Sequence, residues 1–176
     1  SGASLTRIAG ASGAAGADIT WQELTANAAA NATTTLATVM TTTGVGAGTW
    51  AFKYMVRYQA AATTTGVDFA VNHTGTTGVC LLSSWFVTSG GSAANALGDQ
   101  VASNTANLVD GKSQRAKNAK IGSTLGVDTA NADMLMIIEG KIVVTVSGSL
   151  ELKHASEVAA STQVMANTHL ELHKIS

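Results

Sequence analysis

Three runs in the last third of the chain, Met134–Val146, Leu150–His154 and His169–Ile175, constrain the fold more than any other feature of these 176 residues. Short Gly, Ser, Asn and Thr turns separate them, the pattern of closely spaced β-strands. In the first run, Leu135-Met136-Ile137-Ile138 and Ile142-Val143-Val144-Thr145-Val146 flank a single polar break at Glu139-Gly140-Lys141. Apolar residues at consecutive positions predict a strand buried on both faces. The other two runs alternate with a period of two, which predicts one face on a core and one in water. In the last, Leu170 and Leu172 take one face, while His169, Glu171, His173 and Ile175 share the other.

Trp50 to Tyr58 carries the same signal in aromatic form. Trp50, Phe52, Tyr54, Val56 and Tyr58 fall on one face, and Ala51, Lys53, Met55, Arg57 and Gln59 on the other. Such an aromatic face serves packing, in the core or at a subunit interface, and Leu170 and Leu172 are assigned to the same role. Upstream, Leu36–Met40 predicts a short strand and Thr41–Gly48 a turn. Downstream, Gly66–His73 and Val79–Val87 predict a strand pair joined by the Gly-flanked hairpin loop Thr74–Gly78.

Two blocks resemble a known family. One is Lys141-Ile-Val-Val-Thr-Val146, Ser147-Gly-Ser149 and Leu150-Glu-Leu152-Lys-His154-Ala-Ser156-Glu157, followed by a polar loop and Leu170-Glu-Leu172. The other is Ala47-Gly-Thr-Trp50-Ala-Phe52-Lys-Tyr54-Met-Val56-Arg-Tyr58-Gln59 with Ala62 to Asn72. Together they resemble TNF-like and C1q-like jelly-roll domains of tailed-bacteriophage virion proteins. The resemblance implies an antiparallel β-sandwich of jelly-roll type, a homotrimer, and a place in a head decoration protein, a fibre or a tail appendage.

Charge supports an assembled state independently. Charged residues make up 12% of the chain, against roughly a quarter in an ordinary soluble domain. The shortage predicts that other subunits cover part of the surface. The net charge of −1 gives no long-range field to draw nucleic acid or an anionic membrane, so neither is expected as a partner. No apolar run approaches the ~18 residues of a membrane span, and no charged-then-apolar leader opens the chain. The first residue is Ser1, as expected of a processed protein or of a piece of a longer one. Cys80 cannot pair within the chain and reads as a small buried hydrophobe.

Residues Ser1–Ala17 are mostly Gly, Ala and Ser and predict a flexible arm ahead of one domain over residues 18–176. Leu5, Arg7 and Ile8 interrupt the arm and are its candidate docking contacts on a particle, with a plain spacer as the equal alternative. Thr25–Thr35, with its asparagines and successive threonines, predicts extended or irregular chain. Thr88–Asp133 is weakly patterned and holds the cationic cluster Lys112, Arg115, Lys117 and Lys120. Strands are expected there at Ala106–Val109 and Ser113–Ile121, and exposed loops at Thr88–Leu97 and Asp110–Ile121.

Nothing in the sequence forms a catalytic motif. A Gly-x-Ser-x-Gly elbow and a phosphate loop ending in Gly-Lys-Ser/Thr are both missing, so no catalytic residue, no cofactor and no enzyme activity are expected. His169, Glu171 and His173 are weak metal candidates: their nitrogens and oxygens suit zinc or nickel where three copies meet on a threefold axis, but with no second partner to orient them a plain solvated or interface face is the better explanation. Asp128, Asn131 and Asp133 offer oxygens for calcium without the spacing of a calcium loop. Asn31-Ala-Thr33 and Asn72-His-Thr74 match glycosylation acceptors. The expected function is a non-enzymatic virion structural protein, a trimeric capsid decoration or cement protein bound to the major capsid protein. The alternative is a tail fibre or tail appendage module binding a host-surface receptor or glycan.

Overall fold

The computed structural model describes residues 19–87, 116–122, 127 and 129–176. Among them the chain is all β, with no helix. Its strands are β1 (Ile19–Glu23), β2 (Ala37–Val45), β3 (Gly48–Ala60), β4 (Val67–His73), β5 (Thr77–Val87), β6 (Ile121–Gly122), β7 (Met134–Val144), β8 (Gly148–Ser156), β9 (Thr162–Val164) and β10 (His169–Lys174). They form two antiparallel sheets. The first runs β1-β10-β3-β7-β5, with β9 also on β3, and the second runs β2-β8-β4-β6.

β3 organises the first sheet because both its edges are used. Residues 48–58 pair with β7 on one edge, while 50–55 pair with β10 and Tyr58–Ala60 with β9 on the other. Its alternation fixes which side is buried: Trp50, Phe52, Tyr54, Val56 and Tyr58 all point inward and are buried. They meet Phe69 and Val71 of β4 and Leu150 and Leu152 of β8 from the second sheet in one core, which Met136, Ile138, Ile142, Leu170 and Leu172 complete. Tyr58 packs edge-to-face on Phe69 across the sheets, with ring centroids 5.5 Å apart. The aromatic face and the two leucines thus line the core of a sandwich and are not available to a partner.

The chain changes sheet at every connection from β1 to β9. This overturns one expectation: β4 and β5 follow each other across Thr74–Thr76 but do not form a hairpin. β4 pairs with β8 and β6 in the second sheet, and β5 pairs with β7 in the first. β2 is longer than the sequence suggests, since Thr41–Val45, read as a turn, continues its pairing on β8. β9 was hidden in the polar loop before β10. The Ser113–Ile121 expectation reduces, among the described residues, to the short strand Ile121–Gly122. The Ser1–Ala17 arm with Leu5, Arg7 and Ile8, the loop Thr88–Leu97 and the strand Ala106–Val109 lie outside the described residues.

Irregular chain before β2 is fastened by Asn31. Its backbone exchanges hydrogen bonds with Thr162, its Nδ2 donates to the carbonyls of Thr35 at 3.0 Å and His154 at 3.1 Å, and its Oδ1 accepts from Thr33. An asparagine is suited to this because its amide both donates twice and accepts. Asn31 is buried by these contacts, so its acceptor motif has a structural use here.

Candidate interaction surface

Among the described residues, the outward face of the first sheet is an extended surface whose residues the core does not explain. The register sets its rows. Glu23, His169, Met55 and Ile137 stand opposite one another across β1, β10, β3 and β7; Trp21, Glu171, Lys53 and Glu139 form the next row; His173, Ala51 and Lys141 follow. Arg57 and Leu135 make a further pair beyond Met55.

Apolar residues recur on this face. Met55, Leu135, Ile137 and Val143 are half-buried rather than enclosed. The β7 run expected to be buried on both faces is therefore fully covered on the core face alone: Met136, Ile138, Ile142 and Val144 are inside, and the intervening residues look outward. Trp21 is 59% exposed, its ring tilted against His169 at 6.2 Å between centroids. Trp21 at the β1 edge and the half-buried apolar residues of β3 and β7 stand on one face, with His169 and Glu171 of β10 between them; exposed aromatic and apolar residues on one sheet face are the composition of a contact surface.

Polar groups on the same face are largely paired with one another. His173 Nε2 lies 2.5 Å from Glu171 Oε1. At the β9 end Arg57 Nη2 meets Asp133 Oδ2 at 2.5 Å, and Gln59 Nε2 donates to Asp133 Oδ1 at 2.9 Å. The Arg57 hydrogen bond, aided by Gln59, holds the Asp133 carboxyl below the usual carboxylate range. Asp133 is thus an ion-pair partner and not a free calcium ligand; Asn131 takes a left-handed turn conformation at φ 58°, and Asp128 lies outside the described residues.

The metal candidates share a face as the alternation predicts, but they do not converge. His169 lies tilted against Trp21 while His173 bonds Glu171, and among the described residues no three His, Cys, Asp or Glu side chains gather to hold a metal ion. Of the cationic cluster, Lys120 pairs with Asp68 at 2.9 Å and Lys117 Nζ donates to the carbonyls of His73 and Gly75. Lys112 and Arg115 lie outside the described residues.

Sequence reasoning missed Trp21, Met55, Leu135, Ile137 and Val143 as one surface. Met55 on the polar face of an otherwise amphipathic strand was the visible signal. What joined it to Trp21 was the pairing of β1 on β10, which no local pattern encodes. Comparison with models of known protein families finds no match, and comparison with curated proteins finds none.

Proposed function

We propose that this chain is a non-enzymatic structural protein of a phage-like virion, a jelly-roll sandwich assembled as a homotrimer that decorates or cements the capsid. The outward face of the first sheet carries this reading: a methionine, a leucine, an isoleucine and a valine half-buried on β3 and β7, with an exposed tryptophan on the same face at the β1 edge, in a chain with few charges. Packing copies of that face together would remove it from water, and closed threefold symmetry lets three weak attachments act together. Strand order supports the fold assignment. The orders β1-β10-β3-β7, extended by β5 beyond β7, and β2-β8-β4-β6 interleave early and late strands in both sheets, as a chain wound into two Greek keys does.

Light scattering at micromolar concentration, followed by co-sedimentation with phage capsids, tests the proposal. A trimer that sediments with capsids is the expected result. A trimer that ignores capsids moves the assignment to a fibre or tail appendage, and a stable monomer removes the assembly argument altogether.

A further inference from the structure

A second polar cluster stands on the outward face of the second sheet, on the far side of the core. β8 presents Glu151 and Lys153 there, two residues apart and therefore on one face, and β4 brings Asn72 directly opposite Glu151. Asn72 is only 7% exposed, and its Nδ2 donates to Glu151 Oε2 at 2.6 Å. Lys153 Nζ lies 3.3 Å from the same oxygen, and the side chains of Lys153 and Glu151 are 20% and 16% exposed. Opposite Lys153 stand Thr38 of β2 and Ala70 of β4; Ala70 is fully buried and offers the ammonium no partner, and neither residue carries an acid. Ala155, the next outward position on β8, is also fully buried. An amine, a carboxamide and a carboxylate thus meet at one oxygen in a partly dried site.

We propose that Lys153 and Asn72 join in an intrachain isopeptide bond, with Glu151 carrying the protons. The ammonium of Lys153 first gives a proton to Oε2. The freed amine attacks Asn72 Cγ, so the Nζ–Cγ bond forms and the carbonyl electrons move to Oδ1. Oε2 returns its proton to Nδ2, the atom it already contacts. The carbonyl then re-forms, the Cγ–Nδ2 bond breaks, and ammonia departs. Nζ loses a second proton through Oε2, and that proton leaves with the ammonia as ammonium. Glu151 ends as it began, and no oxidant, cofactor or outside reactant enters.

Two features of the geometry favour such a reaction. Diagonal neighbours on adjacent antiparallel strands lie within reach of long side chains, and holding amine and amide in one site replaces a slow bimolecular encounter with a unimolecular one. Bonding of both nitrogens to a single oxygen makes that oxygen a relay between the attacking and the leaving group. The bond would tie β4 to β8, two inner strands of the second sheet, and it stands independently of the virion assignment.

Intact-mass spectrometry of the folded full chain tests it. The wild type is expected lighter than its sequence by one ammonia, and a protease digest should yield one branched peptide joining the segments of Asn72 and Lys153. Lys153→Arg and Glu151→Gln should both return the full sequence mass while keeping the circular dichroism of the wild type. A wild-type mass equal to the sequence mass after days at neutral pH overturns the proposal, whatever the variants do. So does an ammonia loss that persists in Lys153→Arg, which would mark succinimide formation at an asparagine.

Discussion

Replacing Tyr54 by phenylalanine should stabilise this protein, although it removes a polar atom from a central core residue. Tyr54 is fully buried between the sheets, and its hydroxyl has no hydrogen-bond partner among the described residues. A buried, unsatisfied hydroxyl costs about 1–3 kcal/mol of desolvation. Deleting it leaves the ring and its contacts in place, including the tilted packing on Phe52 at 6.0 Å. The void left behind is no larger than a methyl group, which offsets about 1 kcal/mol. The net gain is about 1 kcal/mol, and for a chain of this length that raises Tm by about 2–4 °C. Burial first, and the nearby Glu151 charge second, hold the phenol above its usual range, so it stays neutral and the gain should not vary between mildly acid and mildly alkaline buffers. Thermal and denaturant unfolding at one fixed protein concentration measure it. A Tm lowered by a similar amount would refute the reasoning, because it would mean the hydroxyl holds an ordered water that the phenylalanine loses.

Three further outcomes follow from particular residues. Ile137→Lys places a charge among Met55, His169 and Glu23 on the outward face and should lower the subunit number in light scattering, with the unfolding curve of the dissociated chain otherwise little changed; an undiminished oligomer would place the interface elsewhere. His154 is buried, with Nδ1 unpartnered among the described residues and Nε2 3.5 Å from the Thr162 carbonyl, and burial lowers its pKa below 6.5. The unfolded chain then binds the proton first, so stability is full above about pH 6.5 and is lost as pH falls toward the folded value; His154→Gln should flatten that part of the stability–pH curve, and an unchanged slope would assign the loss to other groups. Gly48 sits at φ 137°, and a Cβ there would collide with the Ser176 carbonyl and the Lys174 side chain, so Gly48→Ala should cost about 1–3 kcal/mol in denaturant unfolding and free the C-terminal residues from Thr49.

What the sequence could reveal here was set by range along the chain. β3, β8 and β10 were legible because each carries its own alternation, and that alternation alone separates Leu170 and Leu172 from His169, Glu171 and His173. β7 was legible as a strand but misleading about its outward face, since Leu135, Ile137 and Val143 there are only half-buried. β9 was not legible: Thr162-Gln163-Val164 has no pattern of its own, and it is a strand because Tyr58–Ala60 offers an open edge beyond the end of β10. The mistaken β4–β5 hairpin has a similar cause. A Gly-flanked loop looks alike whether the chain doubles back in one sheet or crosses to the other, and the choice belongs to distant β8 and β7. The candidate surface divides the same way, with Met55 visible locally and Trp21 placed only by pairing.

The pairing of β1 with β10 also bears on how such a domain could be held. Ile19 stands opposite His173, so the chain enters β1 at the end of the sheet where β10 finishes. That same end carries the anchoring of Ile175 and Ser176 on Thr49 and the close approach at Gly48. Force applied through residues ahead of β1 and after β10 would therefore peel these antiparallel neighbours apart from one end, breaking their hydrogen bonds in succession instead of loading them together. β1 is short and sits at the sheet edge, and its exposed Trp21 packs its ring against His169. A neighbouring subunit that covered Trp21 would add apolar contact to the strand that yields first. If the proposed assembly covers this face, its contacts would fall on the short edge strand, and assembly would then add to stability.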